Sequence, residues 1–133
     1  MANKALGIVA GLAMWVIVVT LAGLIMRTAW PAYAAVADAM AFTLPMMLAR
    51  LTVGALATLV AGRVATVITR GSVIAALLTG VVLLLAFVPE HITIWEKFPV
   101  WYHLTFLLSL VPLTYFGGRL PAITRARSSP SVA

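Results

Sequence analysis

Residues 5–26 read ALGIVAGLAMWVIVVTLAGLIM, a run of 22 amino acids without a charged side chain. The hydrocarbon core of a bilayer is about 30 Å thick, and about 20 helical residues rising 1.5 Å each can cross it. The run therefore predicts a transmembrane helix. A cleaved signal peptide with a small-residue site at residues 32–34 is the alternative, but the apolar region of a signal peptide normally has about 7–15 residues.

The whole chain has the composition of a membrane protein. Of its 133 residues, 64% are hydrophobic and 9% are charged, whereas soluble domains carry roughly 45–50% apolar and about 25% charged residues. So few charged side chains cannot cover a water-soluble globule, which excludes a soluble domain, a disordered segment and a coiled coil. The absence of cysteine from the sequence excludes thiolate catalysis, disulfide exchange and Cys-ligated iron–sulfur clusters.

Three further apolar stretches follow the first, at residues 44–69, 73–88 and 100–116. Together the four predict an all-α bundle of transmembrane helices over residues 1–118, with short loops that make consecutive helices antiparallel. A short helix around residues 33–40 is expected to lie at the membrane interface. Residues 119–133 are basic and lack an apolar pattern, which predicts a flexible tail.

Two prolines shape the last two spans. Pro89 follows the third apolar stretch and predicts its end, because a proline cannot continue the helical hydrogen-bond ladder. Pro112 lies inside the fourth stretch and predicts a kink or a locally satisfied break there, because it cannot donate to the carbonyl of Leu108. We expect the Ser109 hydroxyl to donate to that freed carbonyl instead.

The positive charges lie on one side of the predicted bundle. With four crossings, both termini share a side that holds six cations and no carboxylate: Lys4, Arg63, Arg70, Arg119, Arg125 and Arg127. The other side holds three cations and three carboxylates, so it is neutral. Cytoplasmic segments of membrane proteins are enriched in Lys and Arg, and the asymmetry therefore predicts that both termini are cytoplasmic.

Arg50 lies inside the second span, where an arginine is costly. At the centre of a membrane helix the cost is about 2.5–3.5 kcal/mol, and it falls when the side chain reaches the interface. Three interpretations remain open for Arg50. It extends outward to the membrane surface, it forms a buried or interfacial ion pair with Asp38, Glu90 or Glu96, or it binds an anion or a lipid headgroup.

Small residues recur at four-residue intervals on two of the spans. They are Gly7 and Gly11 in the first span, and Gly54, Thr58, Gly62 and Thr66 in the second. Helices with such faces approach each other closely in lipid, where packing and hydroxyl hydrogen bonds replace the hydrophobic drive. We expect these faces to pack inside the bundle or, alternatively, against another subunit.

Two histidines flank the start of the fourth span. His103 lies among aromatic residues, which is typical of an aromatic belt at the membrane interface. Its neutral imidazole is also the candidate cofactor-binding residue of this chain, as an axial ligand to a metal, a haem or a pigment. Glu90, His91, Glu96 and His103 do not have the spacing of a metal motif, so we expect no metal site and no resident cofactor.

The last span resembles that of a loose group of small, uncharacterised bacterial inner-membrane proteins with four predicted helices. The likeness lies in residues 98–120, FPVWYHLTFLLSLVPLTYFGGRL, in the aromatic-histidine start and the Gly-Gly end of the helix. It extends over the small-residue face of the second span, but not over the first span or the loop that follows it. The resemblance implies a four-helix topology and a location in the bacterial inner (cytoplasmic) membrane, and it implies no activity.

Three functional hypotheses follow from these features. The sequence lacks a G-x-S-x-G motif and has no carboxylate inside a span, so we expect a non-enzymatic protein. The first hypothesis is an accessory or assembly subunit that packs against a larger membrane complex or against itself. The second is a small transporter or ligand-binding bundle with an outward-facing site around Arg50, and the third is a cofactor-binding subunit that uses His103. The expected partners are the lipid bilayer and such a complex or second copy, but no nucleic acid.

Overall fold

The computed structural model describes residues 2–121, which form helices and turns without a β-strand. The helices are α1 (Ala2–Ala29), α2 (Pro31–Ala37), α3 (Leu44–Ile68), α4 (Val73–Thr93) and α5 (Val100–Arg119), with a 3-10 turn at Trp95–Lys97. Each of α1, α3, α4 and α5 is long and apolar enough to cross a membrane. The prediction of an all-α chain with four such helices is therefore confirmed. Most of the predicted tail, residues 122–133, lies outside the described residues.

The helix predicted to end at Pro89 continues to Thr93. Pro89 lies on the outward face of α4 together with Leu85, whose carbonyl would accept from the missing N–H of the proline. Beyond the proline, the Thr93 hydroxyl donates to the Pro89 carbonyl at 3.0 Å, and His91 is buried against other helices. Tertiary packing of this last turn therefore compensates for the lost hydrogen bond.

The helix around Pro112 is also continuous, and α5 runs from Val100 to Arg119. The Ser109 hydroxyl donates to the carbonyl of Phe106 at 2.8 Å, and not to that of Leu108 as predicted. The reason is geometric, because a helical serine reaches carbonyls three or four positions earlier, whereas Leu108 is its immediate neighbour.

The central helix is α3, which packs against α1, α4 and α5. Glycines make these approaches possible. A Cβ atom added to Gly62 would overlap the backbone of Thr114 in α5, and one added to Gly11 in α1 would lie 2.8 Å from the carbonyl oxygen of Ala61. All six small residues predicted to mediate packing are buried inside the chain, so both small-residue faces are covered by its own helices.

The interior is assembled around Trp15 of α1. This side chain packs with a cluster of buried residues that comprises Ala57, Ala61, Leu83 and Leu110. Its indole N–H donates to the Thr58 hydroxyl at 3.0 Å, so the one polar atom of the ring is satisfied. In contrast, large apolar side chains point outward on all four long helices, among them Ile25, Leu56, Leu85 and Leu108, each more than half exposed.

Candidate functional site

One end of the bundle is covered by α2 and by the 3-10 turn, and we call it the capped end. Pro31 lies in the first turn of α2, where its missing N–H costs nothing. The buried residues Tyr33 and Ala37 of α2 cluster with Met46 of α3. This packing holds the hydroxyl of Tyr33 beside the first turns of α3, where Arg50 is located.

The guanidinium of Arg50 is surrounded by four aromatic side chains. Its Nη1 donates to the Tyr33 hydroxyl at 2.8 Å, and its Nε donates to the Tyr102 hydroxyl at 3.2 Å. The guanidinium carbon lies 4.7 Å from the ring centroid of Phe42 and 5.9 Å from that of Phe98. Hydroxyls and ring faces stabilise the cation without neutralising its charge.

The structure does not form the predicted ion pair between Arg50 and Asp38, Glu90 or Glu96. Asp38 pairs instead with Arg27 at 3.1 Å, through side chains that are 93% and 48% exposed. Arg27 is closer because α2 folds directly back from the end of α1. Within residues 2–121, this surface contact is the only ion pair, so no carboxylate lies within ion-pair distance of Arg50.

His91 of α4 and His103 of α5 form a buried pair. Their Nδ1 atoms are 2.7 Å apart, and the Nε2 atom of His103 lies 3.0 Å from the carbonyl oxygen of Trp95 in the 3-10 turn. Both histidines are almost completely buried. Because both ring nitrogens of His103 already have hydrogen-bond partners, this side chain is not free to act as the predicted cofactor ligand.

The protonation of the neutral pair follows from its partners. A carbonyl oxygen only accepts hydrogen bonds, so the proton of His103 must lie on Nε2 and its Nδ1 must be an acceptor. His91 must then donate from Nδ1, which leaves its Nε2 atom as an unprotonated acceptor. Among residues 2–121, nothing in the structure donates to that Nε2 atom.

A cavity of about 340 Å³ lies between the helices at this level, and it opens to the outside of the bundle. Its polar wall is formed by Arg50, Glu90, His91 and Tyr102. Its apolar wall includes Trp15, Val19, Phe87 and Phe106, and Gly23 also lines it. Small-molecule sites are cavities of about 300–1,000 Å³ with mainly apolar walls and a few polar groups, and this cavity has both properties.

Gly23 contributes to the space in the cavity by having no side chain. A Cβ atom added to Gly23 would have no atom within 4 Å, in contrast to one added to Gly7 or Gly11 of the same helix, which would lie within 3 Å of α3. The glycines of α1 therefore divide into two that pack against α3 and one beside the cavity.

Arg50 could be recognised from the sequence as an unusual residue, but its surroundings could not. The histidine pair was missed because Pro89 was expected to end the helix, which placed His91 in a loop. The aromatic side chains around Arg50 were missed because they come from separate parts of the chain. They lie on α2, on α5 and in two loops, at Phe42 and Phe98. A continuous helix through Pro89 would have placed His91 and His103 at facing helix ends.

The described residues contain no group of three or more side chains that could hold a metal ion. Comparison with known proteins gives no further guidance, because no family model, no curated protein and no solved structure matches this chain.

Proposed function

We propose that this chain is a non-enzymatic, multi-pass membrane protein that binds a small amphipathic ligand in the cavity beside Arg50, as a ligand-binding or transport bundle. The observation that carries the proposal is the cavity itself, which brings a guanidinium, a carboxylate, a hydroxyl and an imidazole to one wall and aromatic rings to the other. An amphipathic molecule satisfies both walls at once, with its polar group at Arg50 and its apolar part towards Trp15 and Phe106.

The charge of Arg50 supports this proposal. A cation without a carboxylate in direct contact is expensive to hold away from water, and the hydroxyl and aromatic contacts of Arg50 offset only part of that cost. A protein that used this arginine only to stabilise its fold would be expected to place a carboxylate against it. A polar ligand that enters the cavity can supply the missing acceptor.

The surface of the bundle supports a location in a bilayer. Large apolar side chains cover the outward faces of all four long helices, and such a surface suits lipid and not water. The cations Lys4, Arg63, Arg70 and Arg119 belong to the end opposite the capped end. The positive-inside rule then supports a cytoplasmic location for that end in a bacterial inner membrane, with the capped end outside.

The other two hypotheses have less support from the geometry. The small-residue faces were one reason to expect an accessory subunit, and in the structure these faces are buried by the chain's own helices. A cofactor bound to His103 would need a free ring nitrogen, and both ring nitrogens have partners in the structure. Ligand binding beside Arg50 is therefore the function that we propose.

The test uses three small amphiphiles with one alkyl chain: hexanoic acid, 1-hexanol and hexylamine. Binding to the purified full-length protein in mild detergent is measured by isothermal titration calorimetry and native mass spectrometry. We expect saturable binding of at least one probe with one molecule per chain. The substitution Gly23→Leu should abolish it, because the new side chain enters the open space beside Gly23.

The matched control is Leu24→Phe. Leu24 is the neighbour of Gly23 on α1, but its side chain points away from the bundle and is 59% exposed. Added bulk there should leave probe binding unchanged. Failure of all three probes to bind, or equal binding by the wild type and the Gly23→Leu variant, would contradict the proposed function.

A further inference from the structure

We infer that the ligand of this cavity carries a carboxyl group, which binds as the carboxylate together with one proton shared with the His91 imidazole. The inference rests on the proposed function and adds the chemical class of the ligand. It follows from the donors and acceptors that remain free on the polar wall after the contacts within the protein are counted.

Two of the polar groups on the wall, Arg50 and Tyr102, have hydrogen-bond donors that are free for a ligand. Arg50 has donors only, and two of its N–H groups are used by the hydroxyls of Tyr33 and Tyr102. The Tyr102 hydroxyl accepts from Arg50, so its own proton remains available for a ligand. This part of the wall therefore requires an acceptor on the ligand, and the positive charge favours an anionic oxygen.

The other two groups, His91 and Glu90, have the opposite requirement, because a carboxylate only accepts hydrogen bonds. With His103 Nε2 donating to the Trp95 carbonyl, the neutral pair leaves only the unprotonated Nε2 of His91 without a partner. His91 also lines the cavity, and its ring stacks against Tyr102 with 6.4 Å between the ring centroids. A ligand must therefore present an acceptor to Arg50 and Tyr102 and a hydrogen-bond donor to the part of the wall that holds His91 and Glu90. The two oxygens of a carboxylic acid have this pattern.

The charges around the site explain why the proton accompanies the carboxylate. The groups that face His91 are Arg50 of α3, Glu90 of α4, and Tyr102 and His103 of α5, while α1 contributes only apolar residues to the cavity. Arg50 and Glu90 together are neutral. A carboxylate alone would add a negative charge to this wall, whereas a carboxylate with one proton leaves the sum unchanged.

Other head groups match the free donors and acceptors of the wall less well than a carboxyl group does. An amine offers donors to His91 and Glu90, but the ammonium group has no acceptor for Arg50 and Tyr102. An alcohol can donate and accept, but it has only one oxygen and no charge to match Arg50. A phosphodiester, as in an anionic phospholipid, has acceptors for Arg50, but it is a much stronger acid than a carboxyl group and does not take up a proton to share with His91.

Calorimetry on the wild-type protein tests the inference directly. Hexanoic acid is ionised at neutral pH, so binding with a proton must take that proton from the buffer. Titrations in two buffers with different ionisation enthalpies should show uptake of one proton for each hexanoic acid bound. Hexanoic acid should bind at least about tenfold more tightly than 1-hexanol, which corresponds to about 1.4 kcal/mol, and 1-hexanol should bind without proton uptake.

Two variants test whether Arg50 causes the preference for the acid and whether His91 causes the proton uptake. Arg50→Gln should remove the preference for the acid over the alcohol, because the charged donor is lost. His91→Phe keeps an aromatic ring next to Phe106 but removes the acceptor, so proton uptake should disappear. Glu96→Gln is the control, because Glu96 is exposed on the 3-10 turn and does not line the cavity. Proton uptake by this variant should equal that of the wild type.

The outcomes separate the two proposals. Equal affinities for the acid and the alcohol, or acid binding without proton uptake, would overturn the carboxyl inference and leave the proposed ligand-binding function intact. Tighter binding of a short-chain phosphatidylglycerol than of hexanoic acid would identify a phosphodiester lipid and overturn the inference as well. Absence of binding by every probe would contradict the proposed function itself.

Discussion

The Tyr33 hydroxyl accepts a hydrogen bond from Arg50 Nη1 at 2.8 Å, and this contact connects the short helix α2 to the start of α3. Tyr33 is almost completely buried, although α2 has only seven residues and could not form a stable helix alone. Arg50 therefore has a structural role besides its place in the cavity, since it holds the cover of the capped end in position.

Removal of this hydroxyl should destabilise the protein measurably. We expect Tyr33→Phe to lower the free energy of unfolding by about 1–2 kcal/mol, because a charged donor loses one of its two hydroxyl partners. Tyr115→Phe is the matched control. Tyr115 also accepts from an arginine, Arg119, but at an exposed position where water replaces the hydroxyl. Chemical denaturation in detergent measures both changes, and an equal loss in the two variants would contradict the role of Arg50 in anchoring α2.

Two glycine substitutions should have opposite effects. Gly62→Ala would place its Cβ on the backbone of Thr114 in α5, and backbone atoms cannot move aside as a flexible side chain can. We expect a loss of roughly 3 kcal/mol or more, at or above the upper end of ordinary overpacking. Gly23→Ala meets no atom within 4 Å and should stabilise the helix by up to about 1 kcal/mol. Thermal unfolding of the two variants side by side distinguishes these cases, and destabilisation by Gly23→Ala would show that the site is not open.

The sequence was sufficient to predict the long helices and insufficient to predict their partners. Apolar length alone identifies α1, α3, α4 and α5, because a helix must be about 20 residues long to cross a bilayer. The spacing of Gly7, Gly11 and Gly62 identifies close-packed faces but not which helix covers them. That depends on the complementary shape of the other helix, which no local pattern encodes.

The candidate site was less predictable for the same reason. Arg50 could be recognised as an unusual residue from its position alone. Its partners were expected to be carboxylates, because opposite charges attract over longer distances than hydroxyls or aromatic rings do. The fold instead brings Asp38 to Arg27 and surrounds Arg50 with aromatic residues. That choice depends on where α2 turns back, a feature fixed by tertiary packing around Tyr33.

The two histidines should differ in their importance for stability. His103→Phe leaves both the Trp95 carbonyl and the Nδ1–H group of His91 without a partner, whereas His91→Phe leaves only Nδ1 of His103. A buried polar group without a partner costs about 1–3 kcal/mol. We therefore expect His103→Phe to lower the free energy of unfolding by about twice as much as His91→Phe does. A larger loss in His91→Phe would show that the hydrogen bond to Trp95 contributes little.

The ion pair at the surface should contribute almost nothing. Asp38 is 93% exposed, and exposed ion pairs contribute about 0–1 kcal/mol, with values for such open geometry at the low end. We expect Asp38→Asn to leave the unfolding midpoint in denaturant unchanged within error, while Arg50→Gln shifts it clearly. Repetition at high salt provides the internal check, since screening should remove any residual effect of Asp38. A shift by Asp38→Asn as large as that by Arg50→Gln would contradict the prediction, because the surface ion pair would then contribute as much to stability as Arg50 does.

The orientation of the bundle can be tested with reporter fusions in a bacterial host. We expect green fluorescent protein fused after Pro121 to fluoresce, because the end that holds Lys4, Arg70 and Arg119 should lie in the cytoplasm. Alkaline phosphatase fused after Lys97, which follows three of the four long helices, should be active, because the capped end should lie outside. Removal of the cations at the opposite end should weaken this preference, whereas neutralisation of Lys97 should not. An inactive phosphatase at Lys97 together with an active one at Pro121 would show the reverse orientation, and the cavity beside Arg50 would then open on the cytoplasmic side.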